Sequence, residues 1–243
     1  MGNVEKYIIN CIEKEHTIHM TLIDPDKVTA DQASSLAHEA QLSGTAAIMI
    51  GGSTATSTFD IDNIVKKVKE KVDIPTILFP NNISGISQFA DAIWFMSLLN
   101  SINPYFITGA QALGATLVKR YNIEPLSMGY IIIGEGGTAA FVGHATPIPY
   151  NKSELAVIYS LAAKYLGMHF IYLEAGSGAM QPVPEKMIKD VKKNVEIPLL
   201  VGGGIRNIED ARKISRAGAD IIVTGTILEQ GKNLKPIIEV IKQ

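Results

Sequence analysis

Eight short apolar runs recur along the chain, separated by segments that carry helix punctuation. The strand candidates are residues 17–23, 45–50, 74–79, 92–98, 130–133, 168–173, 197–201 and 220–224. Short runs that are largely apolar fit parallel strands covered on both faces. Helices are predicted over 30–42, stopped by Gly44, and over 60–71, with a short one at 84–89. Asn103 followed by Pro104 reads as a cap with proline in the first turn of a helix reaching about Tyr121. Asn151 and Glu154 read as a capping box, opening a helix that stops at Gly167. Further helices are expected from about 184 to 193, from an Asn207 cap to near Gly218, and from about 234 to 241. A glycine-bearing loop over 134–150 is long enough to be expected as a lid or an interface segment.

Alternation of this kind implies right-handed crossovers and a parallel sheet. Eight such units close more readily than they stay open, so the expected fold is α/β, a TIM (β/α)8 barrel. No linker or compositional shift divides the 243 residues, so 1–243 is expected to form a single domain. A closed barrel gathers its strand ends at one mouth. Asp24, Ser53, Glu174, Gly203 and Gly225 are expected to meet there.

Charge and composition remove several function classes. A formal charge of −2 and a pI near 6.2 supply no basic field for nucleic acid. One cysteine, Cys11, cannot form an internal disulfide, and a reducing, cytoplasmic compartment is expected. The opening residues lack the charged-then-apolar pattern of a signal peptide, and Lys6 stands where a myristoylation site has serine or threonine. No apolar run reaches the length of a membrane span. The mean hydropathy of +0.17 is high for a soluble protein. Strands buried on both faces account for it, and an apolar groove or a subunit interface would add to it. A homo-oligomer is therefore expected, with Phe141 in the long loop as a candidate contact.

Three strand ends carry candidate chemistry. The sixth run ends in Tyr172-Leu173-Glu174-Ala175-Gly176-Ser177-Gly178, the seventh in Val201-Gly202-Gly203-Gly204-Ile205, and the eighth in Thr224-Gly225-Thr226. Glycines let backbone approach a ligand, and free N–H groups at such turns bind phosphate. Phosphate held by the loops after the last two strands of a barrel is a recurring arrangement. Tyr172 and Glu174 then bring a hydroxyl and a potential base beside that phosphate. The competing readings are helix-entry turns for the glycines, a carboxylate bonded to loop amides for Glu174, and a core ring for Tyr172.

Two more stretches join these: Leu22-Ile23-Asp24-Pro25-Asp26-Lys27 and Gly51-Gly52-Ser53. With five motifs in this order over essentially the whole length, the chain resembles the geranylgeranylglyceryl phosphate synthases of archaeal-type ether-lipid synthesis. The run Phe95-Met96-Ser97-Leu98-Leu99-Asn100-Ser101 with Asn103-Pro104-Tyr105 resembles the second of that family's two groups, which holds archaeal and some bacterial members. The resemblance implies transfer of a geranylgeranyl group from its diphosphate to the 3-hydroxyl of sn-glycerol 1-phosphate, with release of diphosphate and dependence on Mg2+. It also implies substrate contacts at Tyr172, Leu173, Glu174, Ala175, Gly176, Ser177, Gly178, Gly203, Gly204, Gly225 and Thr226, and magnesium contacts at Asp24 and Ser53. It makes Glu174 and Tyr172 the catalytic candidates.

Chemistry supports part of this independently. An allylic diphosphate ionises when its leaving charge is neutralised, and hard oxygen ligands such as Asp24 suit magnesium. The bland alternative is that Asp24-Pro25-Asp26 is a turn with capping aspartates. A long apolar tail needs a groove, for which the fourth run and its sequel offer Trp94, Phe95, Met96, Leu98, Leu99, Tyr105 and Phe106. Alternation along a strand lets only some of these line it. Tyr105, just after Pro104, is expected to limit chain length. The five histidines show no ligand spacing, and the lysines at 66, 67, 69 and 71 read as a solvated helix face. Two rival functions stand beside this one. A sugar-phosphate isomerase or lyase would need a second proton-transfer group, for which Glu135 is the candidate. A non-catalytic phosphoglycerol-binding module would leave Asp24 and Glu174 without a task.

Overall fold

The computed structural model describes residues 1–52 and 58–242. Its eight strands are all parallel and close into one barrel in sequence order, β1 through β8, with β8 pairing back onto β1. They are β1 (Ile18–Ile23), β2 (Ala47–Ile50), β3 (Thr76–Leu78), β4 (Ala92–Leu98), β5 (Glu124–Ile132), β6 (Phe170–Glu174), β7 (Leu199–Gly202) and β8 (Ile221–Thr224). The principal helices of the outer ring are α2 (Ala30–Ser43), α3 (Thr58–Lys69), α4 (Ala110–Tyr121), α6 (Ser153–Tyr165), α7 (Glu185–Asn194), α8 (Ile208–Arg216) and α10 (Lys235–Ile241).

Side chains of successive strand residues point to opposite faces, and this divides the core in two. Ile18 and Met20, Ala92 and Trp94, Phe170 and Tyr172, and Ile221 and Val223 fill the barrel interior. Ile23, Ile93, Ile171, Leu173 and Ile222 face outward and pack under the helices. The interior is solid: Trp94 and Phe170 meet edge to face across it, 5.1 Å between centroids. A ligand therefore has room only above these rings.

An N-terminal helix, α1 (Asn3–Glu15), was not foreseen. Its buried Val4 and Ile8 join the interior cluster, and the Glu124 carboxylate at the start of β5 accepts from the backbone N–H groups of Val4 and Glu5, both at 2.8 Å. A carboxylate on the unsatisfied first-turn donors stabilises a helix end. The helix thereby covers the barrel at the end where β5 begins.

Several expected boundaries move, each for a local reason. β5 begins at Glu124, well ahead of 130, and pairs with the whole of β4 from Ala92↔Glu124 to Leu98↔Tyr130. Pro125 and Ser127 break its apolar signature. The helix expected at 84–89 shrinks to a 3₁₀ turn, Ile83–Gly85. There Asn82 Oδ1 accepts from Ser84 N at 2.7 Å and Ser87 Oγ from Phe89 N at 3.3 Å, so side chains take donors a helix would use. Asn151 and Glu154 form no capping box, since α6 starts at Ser153 after Lys152 with no side-chain cap. The capping box is Thr29 with Gln32, at α2. Asn207 does cap α8, accepting from Asp210 N at 2.9 Å. After Pro104 the chain makes a π-helical turn, Tyr105–Gly109, before α4. The 134–150 loop holds a short helix, α5 (Gly137–Val142), and another, α9 (Thr226–Glu229), follows β8 directly.

Ile8→Ala should lower unfolding stability by about 2–5 kcal/mol, the usual cost of truncating a fully buried aliphatic side chain. Denaturant unfolding measures it, and an unchanged midpoint would show that α1 is not part of the closed core.

Candidate active site

The mouth at the C-terminal ends of the strands holds a cavity of about 200 Å³. One half is polar and backbone-rich, with Asp24, Gly52, Ser177, Gly178, Gly203, Gly204, Gly225 and Thr226 in its wall. The other half is apolar and passes over β4 toward α4, lined by Ile83, Ile86, Phe95, Phe106, Gly114 and Val142. Tyr172 and Glu174 line the same cavity, with Glu174 against the glycine loops and Tyr172 against the rings of Phe79 and Tyr130.

Glu174 ends β6 pointing inward and is only 6% exposed. Its Oε1 accepts from Gly176 N at 2.7 Å, and the Tyr172 hydroxyl is its other hydrogen-bonding neighbour. Burial pushes its pKa up, opposed by those two bonds. Burial, with the Glu174 charge second, pushes the Tyr172 and Tyr130 phenols well above their ordinary value, so both keep their protons at neutral pH. Tyr130 is opposite Tyr172 in the β5–β6 register, and their rings sit 5.3 Å apart. Phe79 completes a three-ring wall, 5.5 Å from Tyr130 and 5.8 Å from Tyr172.

The glycines answer to this crowding. Gly203 has φ +80°, and a Cβ there would collide with Glu174 Oε1 and the Gly176 nitrogen. A Cβ on Gly202 would collide with the Tyr172 hydroxyl. The loops after β6 and β7 are also tied together by Arg206, whose Nη2 donates to the carbonyls of Gly178 and Ala179 at 3.2 and 3.0 Å.

Of the run from Tyr172 to Gly178, the cavity is lined by Tyr172, Glu174, Ser177 and Gly178. The side chains of Leu173 and Ala175 face the helices and are fully buried there, which leaves only their backbone for a substrate contact. The Gly176 N–H donates to Glu174. Gly203, Gly204, Gly225 and Thr226 all reach the cavity. Tyr105 does not: the ring in the wall is that of Phe106, with Tyr105 packed edge-on behind it at 5.1 Å. Ser53 lies outside the described residues. Glu135, the second acid considered for an isomerase, is exposed and absent from the wall. Sequence reasoning missed Phe79, Tyr130, Gln111 and Gly114, which line the cavity from strands and a helix without glycine-rich signals.

Asp24 lines the polar half. Its Oδ1 accepts from Asp26 N at 3.1 Å, and its Oδ2 pairs with Lys27 Nζ at 3.4 Å. Among the described residues no group of three His, Cys, Asp or Glu side chains converges to cage a metal. A single hard carboxylate in the polar wall of the cavity fits magnesium shared with substrate phosphates, which needs only one or two protein carboxylates.

A family model described as the PcrB family matches residues 10–242. The chain belongs to the PcrB family. It is 54% identical over 235 residues to the geranylgeranylglyceryl phosphate synthase of Pyrococcus furiosus, covering 97% of this chain and 93% of that protein. The corresponding synthase of Methanosphaera stadtmanae is 51% identical over 243 residues, covering 98% and 99%. A crystal structure of (S)-3-O-geranylgeranylglyceryl phosphate synthase from Thermoplasma acidophilum with its substrate sn-glycerol-1-phosphate superposes with a TM-score of 0.94, at 40% identity over 100% of this chain and 99% of that one.

Proposed function

We infer that the chain is a geranylgeranylglyceryl phosphate synthase. It joins the 3-hydroxyl of sn-glycerol 1-phosphate to geranylgeranyl diphosphate and releases diphosphate, the first ether-bond step of archaeal-type membrane lipid synthesis. The observation that carries the chemistry is a buried carboxylate in the wall of one cavity that has both a glycine-rich polar lining and an apolar one. Such a cavity suits a phosphorylated alcohol and a prenyl chain together.

In this reading the glycerol phosphate group lies against the loops with Ser177, Gly178, Gly203, Gly204, Gly225 and Thr226, whose backbone admits an anion closely. The diphosphate lies on the Asp24 side and the tail in the apolar groove. The prenyl C1–oxygen bond breaks with its electron pair leaving on diphosphate, the glycerol oxygen bonds to C1, and Glu174 takes the hydroxyl proton. Asp24, with Ser53, would hold magnesium, which supplies neutralisation of the leaving charge. The ring faces of Tyr172, Tyr130 and Phe79 attract the positive charge that develops on the allyl group. The Tyr172 phenol, neutral and beside Glu174, keeps the carboxylate oriented. The full barrel acts as one catalytic domain, in the cytoplasm. Among the described residues no helix is long and apolar enough to cross a membrane.

The deciding assay incubates the protein with labelled glycerol 1-phosphate, magnesium and geranylgeranyl diphosphate and identifies the product. Glu174→Gln should cut kcat by about 10²–10⁴-fold with little change in KM for glycerol phosphate, because the amide keeps the shape but accepts no proton. A loss confined to KM would make Glu174 a binding residue instead.

Tail length follows from the groove. Gly114 lies on its wall, and a Cβ there would already meet Ile86 Cδ1 at 3.0 Å. Tyr105 limits length through Phe106, which it supports from behind. Tyr105→Ala should raise kcat/KM for prenyl diphosphates longer than geranylgeranyl relative to geranylgeranyl itself, since each further buried methylene contributes about 0.8 kcal/mol. An unchanged ratio in a folded variant removes Tyr105 from this role.

The protein is a homo-oligomer. Phe141 on α5 is 85% exposed, and Ile158, Tyr165 and Leu166 leave a further apolar stripe open along α6. Sedimentation at micromolar concentration should give a species heavier than the 26.2 kDa chain, and a monomer would contradict it.

A further inference from the structure

Behind the phosphate-side loops lies a buried polar cluster that the reaction chemistry does not use. His19, on the outward face of β1, is completely buried, with Nδ1 2.7 Å from Thr45 Oγ1 and Nε2 2.9 Å from Thr224 Oγ1. Burial above all, and then the charge of Lys242, pushes its pKa down to about 3, so the ring is neutral and carries a single proton.

The surrounding bonds decide which nitrogen holds that proton. Thr45 Oγ1 donates its one hydrogen to the His19 carbonyl oxygen at 3.1 Å. Toward the ring it can then only accept, so Nδ1 carries the hydrogen and Nε2 presents a lone pair. The Thr224 hydroxyl accordingly donates to Nε2. Thr21 Oγ1, 3.2 Å from Thr45 Oγ1, gives its hydrogen to the remaining Thr45 lone pair. Every member is satisfied, and the chain of bonds has one direction only.

Thr224 is the last residue of β8 and borders the cavity just before Gly225 and Thr226. Gly225 presses so closely on β1 that a Cβ there would stand 2.7 Å from the Leu22 carbonyl oxygen. The β8 loop thus leaves from Thr224, whose backbone pairs with Thr21, with Gly225 held close against β1. We propose that His19 is a positioning residue for substrate phosphate: by accepting the Thr224 hydroxyl hydrogen it fixes the end of β8, from which Gly225 and Thr226 reach the anion. This rests on the assignment of glycerol phosphate to the glycine-walled half of the cavity.

Two amides separate the two ends of the ring. In His19→Gln the longer side chain brings a carbonyl oxygen to the Nε2 position and keeps the Thr224 bond. In His19→Asn the amide reaches Thr45 alone. KM for glycerol 1-phosphate should stay within about twofold of wild type for the Gln variant and rise about tenfold for the Asn variant, the order expected for losing one hydrogen bond at a binding loop, with kcat little changed in both. Thr224→Val should reproduce the Asn effect, Thr224→Ser should not, and His19→Asn combined with Thr224→Val should be no worse than either alone. Calorimetric binding of glycerol 1-phosphate and thermal midpoints are measured on the same proteins. A wild-type protein that binds no glycerol 1-phosphate overturns the site assignment itself. Normal binding by wild type together with an unchanged KM in folded Thr224→Val overturns the role of His19 alone, as does equal impairment of KM in the Gln and Asn variants. Should the Asn variant fail to fold, the comparison of Val with Ser at 224 decides.

Discussion

The mouth of this barrel is organised by one buried carboxylate. Glu174 is placed where burial disfavours its charge, with the Gly176 N–H and the Tyr172 hydroxyl as its hydrogen-bonding neighbours. Its surroundings are thin because they have to be. Side chains at 202 and 203 would strike the Tyr172 phenol and the carboxylate itself. The glycines thus serve two ends together: they leave room for the acid and its phenol, and they bare backbone that an anion can approach.

The solid interior settles where a long tail can go. Trp94 and Phe170 close the barrel axis below Tyr172, so an apolar ligand cannot descend it. It has to leave sideways across β4, into the space bounded by Phe95, Phe106 and the side-chain-free Gly114 on α4. A polar half fixed by strand ends and an apolar half opened between strand and helix let one cavity hold two substrates of opposite character. In the proposed reaction the reacting atoms meet at the strand ends, where backbone geometry is most constrained.

Features written in local patterns were legible in the sequence. Eight buried parallel strands announce themselves as apolar runs, and the Tyr172–Gly178 and Gly202–Gly204 stretches announce a close-approach site. Features that depend on tertiary geometry were not. Leu173 and Ala175 share a motif with Glu174 yet face the helices, because pleat alternation overrides adjacency in sequence. Phe106 rather than Tyr105 enters the wall, in a stretch that winds as a π-helical turn before α4. Tyr130 carries no motif at all; it joins the site through its register with Tyr172. Helix α1 escaped notice since Ile8 and Val4 find their partners only once the barrel has closed.

The most direct test of the central claim is titration of Glu174 itself. Infrared difference spectra of wild type against Glu174→Gln isolate the carboxyl stretch of this one group. Burial should make its protonated band persist above the ordinary glutamate value of about 4.3 and vanish in the variant. A band that titrates at or below that ordinary value would contradict the account, because the carboxylate would then be fully solvated or held by charge rather than poised to accept a proton.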